Sequence, residues 1–233
     1  MPKPKPKPSP RAKRAPSERS APPSVRRVPA DARRRQLLDQ SARILTEEGL
    51  DRLEITLIAE RAEVSRPLVY RLFPTRNAVV RALLDEFTAV ISERFQRALI
   101  RALPGTIESI TTLFVEACCD AIEEKGAGPW LLLLDARGAD PEVARIGREA
   151  LSHLLGPWEE QLATFTGSPP RRAANHLWVI VAAGRAAISG WIDGSMTRAE
   201  AVSDATRAVS ALVAAFQAHP APLAAKGTRK PRR

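Results

Sequence analysis

Between Ile55 and Arg76 the chain reads ITLIAERAEVSRPLVYRLFPTR, and this stretch gathers side chains suited to gripping phosphates and touching base edges. Arg66 carries a planar guanidinium whose paired N–H groups match guanine O6 and N7. Tyr70, the one tyrosine of the chain, offers a ring to lie along a groove wall and a hydroxyl for a phosphate. Ser65 can donate to phosphate as well as cap a helix, and Leu68 can touch a thymine methyl. Pro67 and Arg71 share the same two turns. Arg76 begins the next helix, where the N-terminal dipole adds attraction for a phosphate.

Two short helices must position these groups. Ile55, Ile58, Ala59 and Ala62 recur at helical spacing and define one apolar face. Glu63-Val64-Ser65 interrupts, Ser65 is the expected N-cap, and Pro67 sits in the first turn, where its missing N–H costs nothing. Leu68, Val69 and Leu72 point inward, which leaves Arg66, Tyr70 and Arg71 outward. A packed core tyrosine is the other reading of Tyr70, and its polar neighbours speak against it. Two helices joined by a three-residue turn, the second one basic, outline a helix-turn-helix whose second helix enters the major groove.

Ile58-Ala59-Glu60-Arg61-Ala62, then Val64-Ser65, then Tyr70-Arg71-Leu72-Phe73-Pro74 closely resemble the DNA-binding domain of TetR-type transcriptional regulators. The resemblance runs from near Arg33 to about Leu84. Pro67 stands where glycine is usual, Leu68 where threonine is common, and Leu72 where histidine is common, which removes one polar phosphate partner. Arg76 matches the family's usual lysine. The resemblance implies a homodimer, an inverted-repeat operator in double-stranded DNA, and a small-molecule effector held among helices 4 to 8.

The chain has 233 residues and a net charge of +10. The charge is unevenly spread: residues 1–35 hold 12 Lys+Arg against 2 acids, and residues 219–233 hold 5 Lys+Arg and no acid. The remainder, 36–218, therefore has 36 − 12 − 5 = 19 bases against 26 − 2 = 24 acids, or −5. The Pro-Lys alternation of the first residues reads as a disordered basic arm over 1–30, and 219–233 as a basic tail. These arms either solubilise the protein or add salt-dependent phosphate contacts. Neither a signal peptide nor a membrane span is expected, and the adjacent Cys118-Cys119 cannot build a disulfide framework, so a cytoplasmic protein without membrane contact fits. His153, His176 and His219 have no metal-type spacing, and no nucleophile elbow, phosphate loop or dinucleotide fingerprint occurs. No cofactor, metal or catalytic residue is expected, and the chain does not read as an enzyme.

Caps and breakers divide the rest into helices: Asp31 to Glu48 with Gly49 closing it, Arg76 to about Leu103, Thr106 to Glu124, Trp130 to Leu134, Asp140-Pro141-Glu142 opening a helix to about Phe165, Arg171 to Gly190, and a helix opened by the capping box Thr197-Glu200. The fold class is all-α with about nine helices: a three-helix DNA-binding domain over 31–76 and a ligand-binding and dimerisation domain over 77–218. Arg33 and Arg34 are further expected phosphate contacts. Phe114, Cys118, Trp130, Leu133 and Trp178 are expected to line an effector pocket, apolar enough to favour a hydrophobic ligand. Glu116 and Asp120 fall on the polar face of their helix, away from it. Helix 8 is apolar nearly all round and rich in small residues, so a second subunit should cover it. Ala183, Ala187, Trp191, Val209, Leu212 and Phe216 are the expected interface. The chain thus reads as a ligand-responsive regulator, more simply a repressor. The alternative is a ligand-independent architectural DNA-binding protein that relies on its basic arms.

Overall fold

A computed structural model describes residues 29–102, 104–134 and 140–218. The basic arm up to residue 28 and the tail from 219 lie outside the described residues. Among those described, every regular element is helical. The order is α1 (Ala30–Glu48), a single 3-10 turn (Leu50–Arg52), α2 (Ile55–Arg61), α3 (Arg66–Leu72), α4 (Arg76–Ala102), α5 (Ile107–Lys125), α6 (Ala127–Leu134), α7 (Pro141–Thr166), α8 (Pro170–Ile192) and α9 (Arg198–Ala218). None of the described helices is long and apolar enough to cross a membrane.

Local chemistry accounts for most of these boundaries. Gly49 closes α1 at φ 82°, a backbone angle that glycine adopts without a Cβ penalty, and its N–H donates to the Leu45 carbonyl. Thr75 accepts from the Ala78 N–H at the start of α4, and Thr106 accepts from the Ser109 N–H at the start of α5. Asp140 accepts from both Glu142 and Val143, the full N-cap its sequence announces. Thr197 and Glu200 exchange bonds as a capping box. The expected cap at Asp31 is not made: α1 starts a residue earlier behind Pro29, with Asp31 in its first turn.

Leu37, Ile44, Leu53, Ile58, Val69 and Phe73 are fully buried where α1, α2 and α3 meet. That core continues without a gap along α4, through Val79, Leu84, Phe87 and Ile91, into the bundle of α5 to α9. Helix α6 is the other bridge between the two ends. Gly128 lies against α1, its N–H donating to Thr46 Oγ1 at 3.0 Å. A Cβ on Gly128 would stand 2.6 Å from Leu45 Cβ and 2.9 Å from the Ala42 carbonyl oxygen. Both obstacles belong to the buried face of α1, Leu45 and Ala42 being buried, and cannot yield cheaply. Gly128→Ala should therefore destabilise the fold by about 1–3 kcal/mol. Urea unfolding followed by circular dichroism should show a lower midpoint at unchanged slope.

Candidate nucleic-acid interface and effector cavity

Helices α2 and α3 are joined by Ala62–Ser65, and Glu63 takes φ 54° there, the only described non-glycine residue with a positive φ. This tight reversal lets Val64 pack against the core while α3 departs at an angle. Val69 is fully buried and Leu72 half-buried, so α3 rests on its apolar side. Arg66, Pro67, Tyr70 and Arg71 are exposed, Tyr70 at 52 %. Leu68 is half-buried at the edge between the two faces. Ser65 occupies the N-cap position in an extended conformation, but its side chain makes no capping bond. The capping role expected of it is not seen, and the hydroxyl is exposed.

The flanking arginines differ from one another. Arg33 donates to Gln36 Oε1 at 2.6 Å, and Gln36 in turn donates to the Ala62 carbonyl at 3.1 Å. The Arg34 guanidinium sits 4.6 Å over the Phe73 ring, a cation–π contact joining the start of α1 to the end of α3. Arg76 turns away from the α3 surface. It donates to Asp140 Oδ2 at 2.8 Å and to the Leu50 carbonyl at 2.8 Å. The phosphate contact expected of Arg76 thus competes with an internal tie between the start of α4, the 3-10 turn and the start of α7. The backbone N–H groups of Val143 and Glu142, with the Arg76 guanidinium, hold the Asp140 carboxyl below its ordinary value.

A cavity of about 430 Å³ opens among α5, α6, α7, α8 and α9. Small-molecule sites occupy roughly 300–1,000 Å³. Phe114, Cys118, Trp130 and Leu133 line it, as the sequence pattern suggests. Trp178 does not: it lies on the outer face of α8, 47 % exposed. The wall is completed by residues that were not singled out, above all Leu151, Leu154, Leu155, Trp158 and Leu162 of α7, with Ile188 and Arg185 of α8. The α7 residues recur at three- and four-residue spacing, a signal present in the sequence. Phe114 and Trp158 both pack on Phe95, at 5.4 and 5.3 Å between ring centres, which fixes one end of the cavity. Burial pushes the Cys118 thiol far above its ordinary range. Among the described residues no group of His, Cys, Asp and Glu could hold a metal ion.

The outer surface of α8 carries Trp178, Val179, Ala182 and Ala186, all exposed. Ala187 and Val209, expected at a subunit interface, are instead buried within the subunit, at 8 % each, and Val209 is a cavity wall. Ala183, Trp191, Leu212 and Phe216 are half-buried. Phe216 stacks on His176 with ring centres 3.8 Å apart.

The model of the bacterial regulatory proteins of the tetR family matches residues 37–83, the segment that builds α1 through the start of α4. Over this segment the chain is similar to the regulatory proteins of the TetR family. The HTH-type transcriptional regulator BetI of Escherichia coli is 27 % identical over 169 residues, spanning 68 % of this chain and 84 % of that protein. Among solved structures, a TetR-family regulator from Streptomyces coelicolor superposes with a TM-score of 0.60 at 22 % identity, over 82 % of this chain and 85 % of its own. A transcriptional regulator from Pseudomonas aeruginosa gives 0.61 at 20 % identity, over 84 % and 98 %. These structures share the all-helical fold. Helix α3 lies within the matched segment, and its exposed face is the candidate reading surface.

Two outcomes are expected from these contacts. Arg66→Ala should weaken binding to a preferred DNA site by about 1–3 kcal/mol and relax preference at one base position, as read by competition binding with single-base variants. Asp140→Asn should leave helical content intact and speed amide hydrogen exchange at Leu50–Leu53 and the first turn of α4. A carboxyl held below its ordinary value stabilises the fold above about pH 3.9 and loses that effect as acid protonates it. The exchange difference should therefore be constant between pH 5 and pH 8.

Proposed function

We propose that the protein is a ligand-responsive transcriptional regulator, in the simplest form a repressor. A homodimer would bind an inverted-repeat operator and be released by a small hydrophobic molecule. The carrying observation is the position of α6: Trp130, Leu133 and Leu134 wall the cavity while Gly128, one turn earlier, is seated on α1. A ligand that fills the cavity and prefers one placement of α6 biases the placement of α1, and with it α2 and α3.

The DNA contacts that fit this reading are Arg66, Pro67, Leu68, Tyr70 and Arg71 on α3, with the free hydroxyl of Ser65 and the flanking Arg33 and Arg34 on phosphates. The apolar outer face of α8 supports dimerisation, because an exposed Trp178-Val179 surface gains by being covered. Two reading helices related by a two-fold axis would meet successive major grooves about 34 Å apart. The domain division at about residue 76, cytoplasmic location and absence of catalysis belong to this same reading.

Selection of bound sequences from a random DNA pool tests it, with the full chain and residues 31–218 compared side by side. Both should enrich the same inverted repeat, the full chain with the steeper salt dependence. If enrichment disappears with the basic arms, the arms carry the binding and the architectural reading replaces this one.

A further inference from the structure

Resting on the effector reading above, the composition of the cavity wall narrows the chemistry of what it holds. The lining is almost wholly aliphatic and aromatic, and Arg185 is its only charged residue; no Asp, Glu or Lys is among the described residues that form it. The acids of α5 are directed elsewhere. Asp120 and Glu124 pair with Arg94 of α4, and Asp120 also with Arg198 of α9, and none of the α5 acids is among the described residues of the cavity wall.

Arg185 is placed rather than loose. Its Nη1 donates at 3.0 Å to the carbonyl of Leu134, the last residue of α6 and itself a cavity wall. That carbonyl belongs to the negative end of the α6 dipole, which draws the guanidinium to the cavity. A single carbonyl uses one of the five N–H donors of an arginine, and among the described residues Arg185 has no carboxylate partner. Trp130, also in the wall, holds a buried indole N–H without an acceptor. The unspent polar capacity at these two residues is donor capacity.

We propose that the effector is an amphipathic monoanion: a hydrocarbon body filling the space among Phe114, Leu133, Leu155 and Trp158, and a carboxylate paired with Arg185. Arg185 is itself solvent-exposed at the cavity's edge, where its guanidinium can form a charge-assisted bidentate pair with a carboxylate. A cationic head group brought there would meet Arg185 without a counter-charge. A carboxylate at Arg185 also competes for the guanidinium with the Leu134 carbonyl. The charge of the ligand therefore acts on the C-terminal end of α6, the helix whose N-terminal end is seated on α1.

The test is displacement of Nile red, a neutral apolar dye, from the full-length protein by three amphiphiles of equal chain length: decanoate, decanol and decyltrimethylammonium. Decanoate should compete most strongly, with the ammonium weakest. Arg185→Gln should weaken decanoate by roughly 10- to 100-fold, the range for a hydrogen bond to a charged group, and leave decanol unchanged. Arg185→Lys should retain the preference for the anion. If decanol matches decanoate, or the ammonium displaces best, the anionic class is wrong while a cavity that binds apolar molecules stands. If decanoate preference survives Arg185→Gln, Arg185 is not its partner and the proposal falls. If Nile red itself finds no site, the effector reading falls with it.

Discussion

The Gly128 N–H donates to Thr46 Oγ1, and the missing Cβ at that glycine lets α6 lie directly on the backbone of α1. A contact this close has little tolerance, since protein interiors are packed as densely as organic crystals and respond to displacement by moving whole elements. The opposite side of the same eight-residue helix is cavity wall. One short helix therefore touches both the α1–α3 end and the hollow end of the molecule, and neither contact can shift without involving the other. Arg76 supplies the second tie, from the start of α4 to the cap of α7. The two ties differ in kind: one is steric and indifferent to salt and pH, the other is ionic and partly exposed, and so worth less on its own.

Charge placement explains how a body rich in acids encloses an apolar hollow. Arg94 and Arg198 bracket Asp120 from α4 and α9, and Lys125 reaches Glu86 at 2.5 Å. Each pair is at least partly solvated, so its contribution to stability is small. Its consequence is orientation: the polar face of α5 is committed to the α4 and α9 surfaces, which turns Phe114, Val115 and Cys118 toward the cavity. Among the described residues of the wall, Arg185 is the one that carries a charge.

Much of this was legible in the sequence. Local devices read cleanly because their causes are local: Asp140-Pro141-Glu142, Thr197 to Glu200 and Gly49 all mark boundaries that the structure keeps. The outward set Arg66, Tyr70 and Arg71 followed from a two-turn periodicity with polar residues on one side. Helix 8 was less readable. An almost uniformly apolar helix has no strong phase, so the residues facing inward could not be told from those facing out, and Trp178 exchanged sides with Ala187. The internal tie of Arg76 was not legible for another reason: its partner lies 64 residues away, and nothing within either segment announces the pairing. Ser65 shows the limit of cap statistics, since an N-cap residue type can take the N-cap backbone conformation and still make no capping bond.

The proposed reading has the cavity act by occupancy, and the state of its thiol fits that reading. Among the described wall residues Cys118 carries the only thiol, and burial disfavours its thiolate so strongly that the thiol remains protonated at neutral pH. Cys119 is pushed up to about 11, burial outweighing the opposing pull of Arg198. A wall of this kind discriminates ligands by volume, by apolar fit and by the single positive charge at its edge. Such a site responds to a ligand only through the difference in its affinity for two placements of the surrounding helices. The helix best placed to supply that difference is α6, because it alone joins the cavity wall to the close seat on α1.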